Sequence, residues 1–436
     1  MFDLRNKMGI ISDDLTGAND SGVQLAMKDL STTVVFDVKN SSENADSDVL
    51  ILDTDSRAKN EEEAYQSVVE AATFLKRRGY QHIYKKVDST LRGNIEAELT
   101  AIEAVYEPEV IVIAPAYPKM GRQTINGHHF VGGVIITETE FSNDPKTPVE
   151  ESYLPKLLNP TDNRKIKLLN KEIWNKSKEE IDSIIRSSIE EGNKWFVCDA
   201  ETEEDLFHIA ELFVRINKSI VWAGSAGLIE YLPEILNLNS ASVKDTEEME
   251  INHTLIVSGS LSQVTKKQLC KVKSLSNSYF LKINPVDLVN QIYRLDELAN
   301  KVEQHKGCKH FVLYVEADDT SRTSAVEAGK KFGLSKTDVS EAISNGLGFI
   351  ANHLLKAFPT IKGLVLTGGD TAKAVCRALG VTEMELYLEI EAGLPFGKFR
   401  TEINSYWAVT KAGGFGAEES LIKALEFLIN KRRVIV

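Results

Sequence analysis

Two adjacent acids close a short apolar run near the start of the chain, Ile10-Ile11-Ser12-Asp13-Asp14-Leu15-Thr16-Gly17. Such a run, ended by acids and a glycine turn, reads as a buried strand feeding a helix. Ligands of open α/β sheets bind at that end of the strands. There, Asp13 or Asp14 could accept a hydroxyl proton or hold Mg²⁺. The plainer alternative is a helix cap beside a solvated acid. Asp53-Thr54-Asp55-Ser56-Arg57 repeats the pattern and adds a guanidinium that could fork onto a carboxylate, or merely pair with Asp55. In Lys85-Lys86-Val87-Asp88-Ser89-Thr90-Leu91-Arg92-Gly93-Asn94, three cations and two hydroxyls meet at a strand-to-helix turn. Cations at a helix N-terminus make an anion site.

The stretch from Ala114 to Arg122, followed by Asn126-Gly127-His128-His129, is expected to be an irregular loop bearing Lys119, Arg122 and both histidines. Neighbouring histidines on a strand would face opposite ways, which argues against a shared metal. Phe141 to Pro148 is rich in turn residues, as lids and interdomain contacts are.

Three further turns lie in the second half: Val257-Ser258-Gly259-Ser260-Leu261-Ser262, Leu366-Thr367-Gly368-Gly369-Asp370-Thr371-Ala372 and Thr410-Lys411-Ala412-Gly413-Gly414-Phe415-Gly416. Each follows an apolar run. Glycine lets a backbone approach a phosphate closely, and exposed amides bind it. None matches GxxxxGK[ST] or GxGxxG, so a P-loop or a Rossmann dinucleotide site is not expected. The protein-kinase motifs are absent too.

These residues need strand ends to hold them. Apolar, β-branched runs at Met8–Ile11, Thr33–Asp37, Val49–Asp53, Ile83–Val87, Val110–Ala114, Trp195–Asp199 and Ile220–Trp222 are nearly continuous. Parallel strands buried on both faces look like this. Helical stretches lie between them, one opened by Asn60 before three glutamates, another by a Thr202–Asp205 capping box. Strand-like runs resume at Thr254, Phe311, Gly363 and Trp407, and Thr337–Phe358 reads as a long helix interrupted by Gly346 and Gly348. The fold class expected is α/β: two domains, each a mostly parallel sheet flanked by helices. The polar, acidic stretch at 236–252 divides them, giving an N-terminal domain at 1–240, a linker at 241–252 and a C-terminal domain at 253–436.

The chain has 436 residues, 42% of them hydrophobic and 26% charged, the mix of a globular protein. Its net charge of −13 disfavours nucleic-acid partners and polybasic membrane binding. No stretch is apolar enough for a membrane span, and Met1–Ile11 lacks the core of a signal peptide. Four scattered cysteines, without a CxxC pair, fit a cytoplasmic location rather than a disulfide or zinc framework.

Taken together, the motifs resemble the four-carbon acid sugar kinases. The resemblance rests on residues 11–20, 85–93, 114–122, 126–129, 144–148, 223–227, 367–371 and 411–416, in that family's order. Residues 18–24 are most similar to the D-threonate branch, although Ser12 and Ser21 stand where Ala and Thr are usual. The resemblance implies an active site in a cleft between two domains. It implies transfer of the γ-phosphoryl group of ATP to the terminal hydroxyl of D-threonate, with D-erythronate or 3-oxo-tetronate as alternative acceptors. Carried over by motif, the acid-sugar positions are Asp13, Arg57, Lys86, Val87, Asp88, Ser89 and Arg92. The nucleotide positions are Ser258, Gly368, Gly369, Asp370, Thr371, Gly413 and Gly414. Asp13 and Asp14 are the candidate bases, Asp13 first. Mg²⁺ is expected with the nucleotide, its ligands unassigned. A homo-oligomer is compatible with the sequence. The rival class is a non-catalytic cytoplasmic acid-sugar sensor, which would need the anion site but neither the glycine turns nor the acid pair.

Overall fold

The computed structural model describes residues 7–38, 47–144, 146–238, 246–260, 262–316, 318–401 and 404–435. Pro145, Leu261 and the stretch 239–245, which holds the first half of the expected linker, lie outside them. The described residues form two compact units, one up to residue 238 and the other from 246 onward.

In the first unit the strands are Met8–Ser12 (β1), Thr32–Val35 (β2), Val49–Asp53 (β3), His82–Lys86 (β4), Val110–Ala114 (β5), Arg122–Ile125 (β6), His128–Val131 (β7), Val134–Ile135 (β8), Ile166–Leu169 (β9), Trp195–Cys198 (β10) and Ile220–Gly224 (β11). The main sheet runs β2-β3-β1-β4-β11-β5-β10-β9. Its described pairs are all parallel. Both faces are covered, which explains the unbroken apolar runs: β1, β3 and β5 are buried at every position. The strand order reverses around β1, which has β3 on one side and β4 on the other. Crevices open at such switch points, beyond the carboxyl ends of the strands.

The helices begin where the side chains anticipate. Asn60 accepts from Glu63 N ahead of Glu61–Arg77, and Thr202 with Asp205 completes a capping box ahead of Glu203–Ile216. The expected irregular loop is instead a small antiparallel sheet, β6-β7-β8. Asn126 and Gly127 turn its first hairpin with φ of 51° and 79°. That is the left-handed pair a two-residue hairpin demands, and Asn-Gly supplies it most readily.

In the second unit the strands are Thr246–Met249 (β12), His253–Ser258 (β13), Ser278–Ile283 (β14), His310–Val315 (β15), Ile361–Thr367 (β16), Glu383–Glu389 (β17), Pro395–Arg400 (β18), Ser405–Lys411 (β19) and Arg432–Ile435 (β20). The order is β14-β15-β13-β16-β19-β18-β17, parallel as far as β19 and antiparallel beyond it. Thr246–Met249, inside the stretch expected to be an unstructured linker, pairs with β20. The acids that suggested a linker are partnered there: Glu247 meets the buried Lys398, and Glu248 meets Arg433.

Helix Lys336–Ala357 is continuous through both of its glycines. A Cβ on Gly348 would lie 2.5 Å from Ala374 O, so the glycine lets this helix press against the backbone of helix Gly369–Leu379. The glycines expected to interrupt the helix serve its packing instead.

Candidate functional site

Three segments converge beyond the ends of β1, β3 and β4, because register places Ser12 opposite both Asp53 and Lys86. Asp13 and Asp14 leave β1, Arg57 follows β3, and Val87 to Arg92 follow β4. Arg57 does not take Asp55 as its ion-pair partner. Its Nε donates to Asp13 Oδ2 at 2.7 Å, and its Nη2 donates to Asp13 Oδ1 at 3.1 Å and Asp14 Oδ1 at 2.7 Å. Backbone bonds from Ser56 N and Arg57 N to Asp13 O clamp the two strand ends together. Gly93 completes the floor with φ of 100°, and a Cβ there would sit 3.3 Å from Asp13 Oδ2.

The two acids are unlike. Burial alone would raise Asp13, but Arg57, then Lys85 and Lys86, outweigh it and hold the group below the ordinary carboxylate range. Asp14 lies above that range, through burial and the charge of Asp13, against the pull of Arg57 and Lys86. Asp13 spends both oxygens on Arg57. Asp14 caps helix Leu15–Ala26 by accepting from Gly17 N with Oδ1, the oxygen that also faces Arg57. No described residue donates to its Oδ2. Its side chain is 24% exposed, against 2% for Asp13.

Lys85 and Lys86 point different ways, as successive strand residues must. Lys85 is fully buried on Glu98 at 2.8 Å, and Glu98 also accepts from Ser56 Oγ. It braces the strand ends from beneath. Lys86 is 5% exposed and donates to Val87 O at 2.8 Å. No acid of the described residues lies within ion-pair distance of it, so it keeps donors for an anion. Arg92 does not: it holds Asp88 at 2.6 Å and Asp144 at 3.2 Å, and lies over the ring of Phe141. Arg57, Arg92 and the lowered Asp88 are thus partnered in this structure.

His129 is buried, and its Nε2 lies 2.9 Å from Ser89 O. A carbonyl only accepts, so Nε2 carries the proton and Nδ1 accepts from Thr124 Oγ1 at 3.2 Å. Burial lowers its pKa to about 4, so it stays neutral and braces the Val87–Ser89 turn. His128 bonds Ser152 and packs on Tyr153. Lys119 is engaged by Glu230, away from this cluster. Glu98, inside helix Ile95–Tyr106, and Thr124, inside β6, carry no local mark of what they face, and Ser56 in the loop after β3 carries none of its partner Glu98, so the sequence does not single them out as supports.

In the second unit the three glycine turns stand side by side. Ser258 pairs in register with Thr367, and Thr367 with Lys411, at the carboxyl ends of β13, β16 and β19. Ser258 is buried and accepts from Thr367 Oγ1 at 2.9 Å. Gly368 has φ of 93° and leads into helix Gly369–Leu379, with Asp370 and Thr371 in its first turn. Gly413 sits against Ser260, where a Cβ would collide, and Gly414 has open space around it. Successive parallel strands ending in glycine turns, one of them at a helix N-terminus, are an arrangement that can bind phosphate.

Residues 8–232 match the family model described as a sugar-binding N-terminal domain, and residues 255–421 one described as a nucleotide-binding C-terminal domain. A D-threonate kinase of Salmonella typhimurium strain LT2 is 32% identical over 97% of this chain and 98% of its own. The chain belongs to the four-carbon acid sugar kinase family. This kinase is 27% identical to a D-erythronate kinase of Heliobacterium modesticaldum, over 97% of each chain. It is 26% identical to a 3-oxo-tetronate kinase of Pseudomonas savastanoi pv. phaseolicola, over 97% of this chain and 98% of that one. The fold is shared with a Haemophilus influenzae crystal structure of the DUF1537 family, at a TM-score of 0.77 and 24% identity, covering 96% of this chain and all of that one. The kinase is accordingly a phosphotransferase with an alcohol acceptor. Both units have the mostly parallel α/β sheets expected for it.

Proposed function

We propose that this kinase transfers the γ-phosphoryl group of ATP to the terminal (4-) hydroxyl of D-threonate, giving 4-phospho-D-threonate and ADP. The observation that carries the reading is the cluster of Asp13, Asp14, Arg57 and Lys86 at the switch point of the unit that matches the sugar-binding model. A small hydroxy acid needs cations for its carboxylate and a base for its hydroxyl, and the cluster supplies both. The D-threonate kinase of Salmonella typhimurium is 32% identical to this chain, against 27% for the D-erythronate kinase and 26% for the 3-oxo-tetronate kinase of Pseudomonas savastanoi, which favours D-threonate.

Lys86 binds the carboxylate together with the Nη1 of Arg57, which neither Asp13 nor Asp14 takes, and the Val87–Ser89 turn and Arg92 shape the rest of the pocket. Asp14, with a spare oxygen and a raised pKa, takes the proton as the hydroxyl oxygen bonds to phosphorus and the bond to the ADP oxygen breaks. Asp13 orients Arg57. In the second unit, Ser258, Gly368 to Thr371, Gly413 and Gly414 hold the phosphates. A cavity of ≈ 620 Å³ beside Gly259 has the size for a nucleoside, with Val315, Val326, Val339 and Ile343 as its apolar wall and Arg322 and Lys336 among its charged lining. Among the described residues, no three His, Cys, Asp or Glu side chains converge as a metal cage. Mg²⁺ that arrives on nucleotide phosphates needs only one or two carboxylates, and Asp370 is the acid at this edge. When bound, the ion neutralises phosphate charge.

The test is a coupled ADP-release assay with D-threonate, D-erythronate, 3-oxo-tetronate, L-threonate and 4-hydroxythreonine. D-Threonate is expected to give the highest kcat/KM. A higher value for another acid moves the substrate assignment to it, and no ADP release from any of them overturns the reaction.

A further inference from the structure

Four lysines are buried among the described residues: Lys85, Lys86, Lys398 and Lys411. Lys85 and Lys398 are paired with Glu98 and Glu247. Among the described residues no acid lies within ion-pair distance of Lys86 or Lys411, and each ends a parallel strand at a proposed anion site. A buried charge without a counter-ion is costly, so its surroundings must compensate it.

Around Lys411, main-chain oxygens do so. Its Nζ donates to Ala412 O at 2.8 Å, Gly413 O at 3.3 Å and Phe415 O at 3.1 Å. Thr265 Oγ1 donates to Gly413 O at 2.7 Å, and Gln268 Nε2 to Phe415 O at 3.1 Å. The turn closes on itself through Phe415 N and Ala412 O at 3.1 Å. In a trans peptide the N–H points opposite to its C=O. Carbonyls 412, 413 and 415 face inward, so the amides of Gly413, Gly414 and Gly416 face outward. None of those three N–H groups donates to an acceptor among the described residues, and Gly414 and Gly416 are exposed. Burial lowers Lys411 to about 8, which leaves it mostly charged at neutral pH.

We infer that Lys411 is a positioning residue for the triphosphate: its ammonium gathers the turn's carbonyls beneath the backbone, which aims the Gly413, Gly414 and Gly416 amides outward as an anion nest over a positive charge solvated by carbonyls rather than neutralised by an acid. The inference rests on reading this turn as a nucleotide contact. A lysine that merely plugged the core would leave phosphate affinity untouched.

The test compares ATP, inorganic tripolyphosphate and adenosine binding to the full-length enzyme by calorimetry, with KM for each substrate. Lys411→Met is expected to weaken ATP and tripolyphosphate by about tenfold or more, the scale of hydrogen bonds to charged groups. Adenosine affinity and KM for the acid sugar should stay within about twofold. Unchanged tripolyphosphate and ATP binding overturns the inference. Should Lys411→Met not fold, Lys411→Gln keeps a polar side chain with two N–H donors but removes the charge, and unchanged ATP affinity there overturns it equally. Gly414→Pro removes one outward N–H and separates the two levels. If it too leaves ATP binding intact, the turn is no nucleotide contact; if it weakens ATP while Lys411→Met does not, only the role of Lys411 falls.

Discussion

Two adjacent aspartates became different groups once Arg57 was placed. From the sequence, Asp13 was the first choice of base and Asp14 the fallback, because nothing local distinguishes them. The guanidinium takes both oxygens of Asp13 and one of Asp14, and it crosses from the end of another strand to do so. Asp14→Asn is therefore expected to lower kcat by ~10²-fold or more, the scale of general base catalysis. Asn is as good a helix cap as Asp, so the melting temperature should hold, and turnover within about threefold of wild type would remove Asp14 as the base. The sign of the pH dependence follows. The base works deprotonated and its pKa is raised, so kcat should fall on acidification through a pKa above the ordinary 3.8. His129, buried and bonded to Ser89 O, stays neutral and braces the Val87–Ser89 turn.

At the level of elements, periodicity and caps were good guides where the chain obeys local rules. The strand ends bearing the motifs, the Asn60 cap and the Thr202–Asp205 box are all in place. The β6–β7 hairpin was legible too, since Asn126-Gly127 is its own signature, but the charged residues around it drew the reading toward a loop. The glycines of helix Lys336–Ala357 mislead for a different reason. Glycine lowers helix propensity, yet tertiary contact can require it. Gly348→Ala would drive a methyl to within 2.5 Å of Ala374 O and 2.7 Å of its carbonyl carbon, both rigid backbone. The expected cost is about 1–3 kcal/mol of stability, read as a lower urea midpoint at unchanged slope. A midpoint equal to wild type would mean that the two helices part freely. Ala223 to Gly227, a motif of the family resemblance, is likewise a packing device, for a Cβ on Gly224 would meet Ala114 O and the Tyr84 hydroxyl at 2.6 Å.

For the molecule as a whole, the net charge of −13 sits with an acid-sugar and nucleotide enzyme because cations are placed rather than numerous. A sensor for the same acid would need the first unit's cluster alone. ATP–Mg²⁺ without the acid sugar should therefore raise the melting temperature, with ~2.7 kcal/mol of stabilisation at a hundredfold excess over Kd. No shift at that excess would favour the sensor. The sequence by itself determined the α/β class, two parallel-rich halves and the strand ends at which the motif residues lie. Those follow from short-range rules of apolar runs, turns and caps. It also carried the family, through motifs spread along the chain. Only the tertiary structure decided which acid keeps a free oxygen, which of four buried lysines lack a counter-ion, and which loop is a sheet. The physical reason is that ionisation, hydrogen bonding and desolvation depend on neighbours brought together by strand register, at separations no local pattern records.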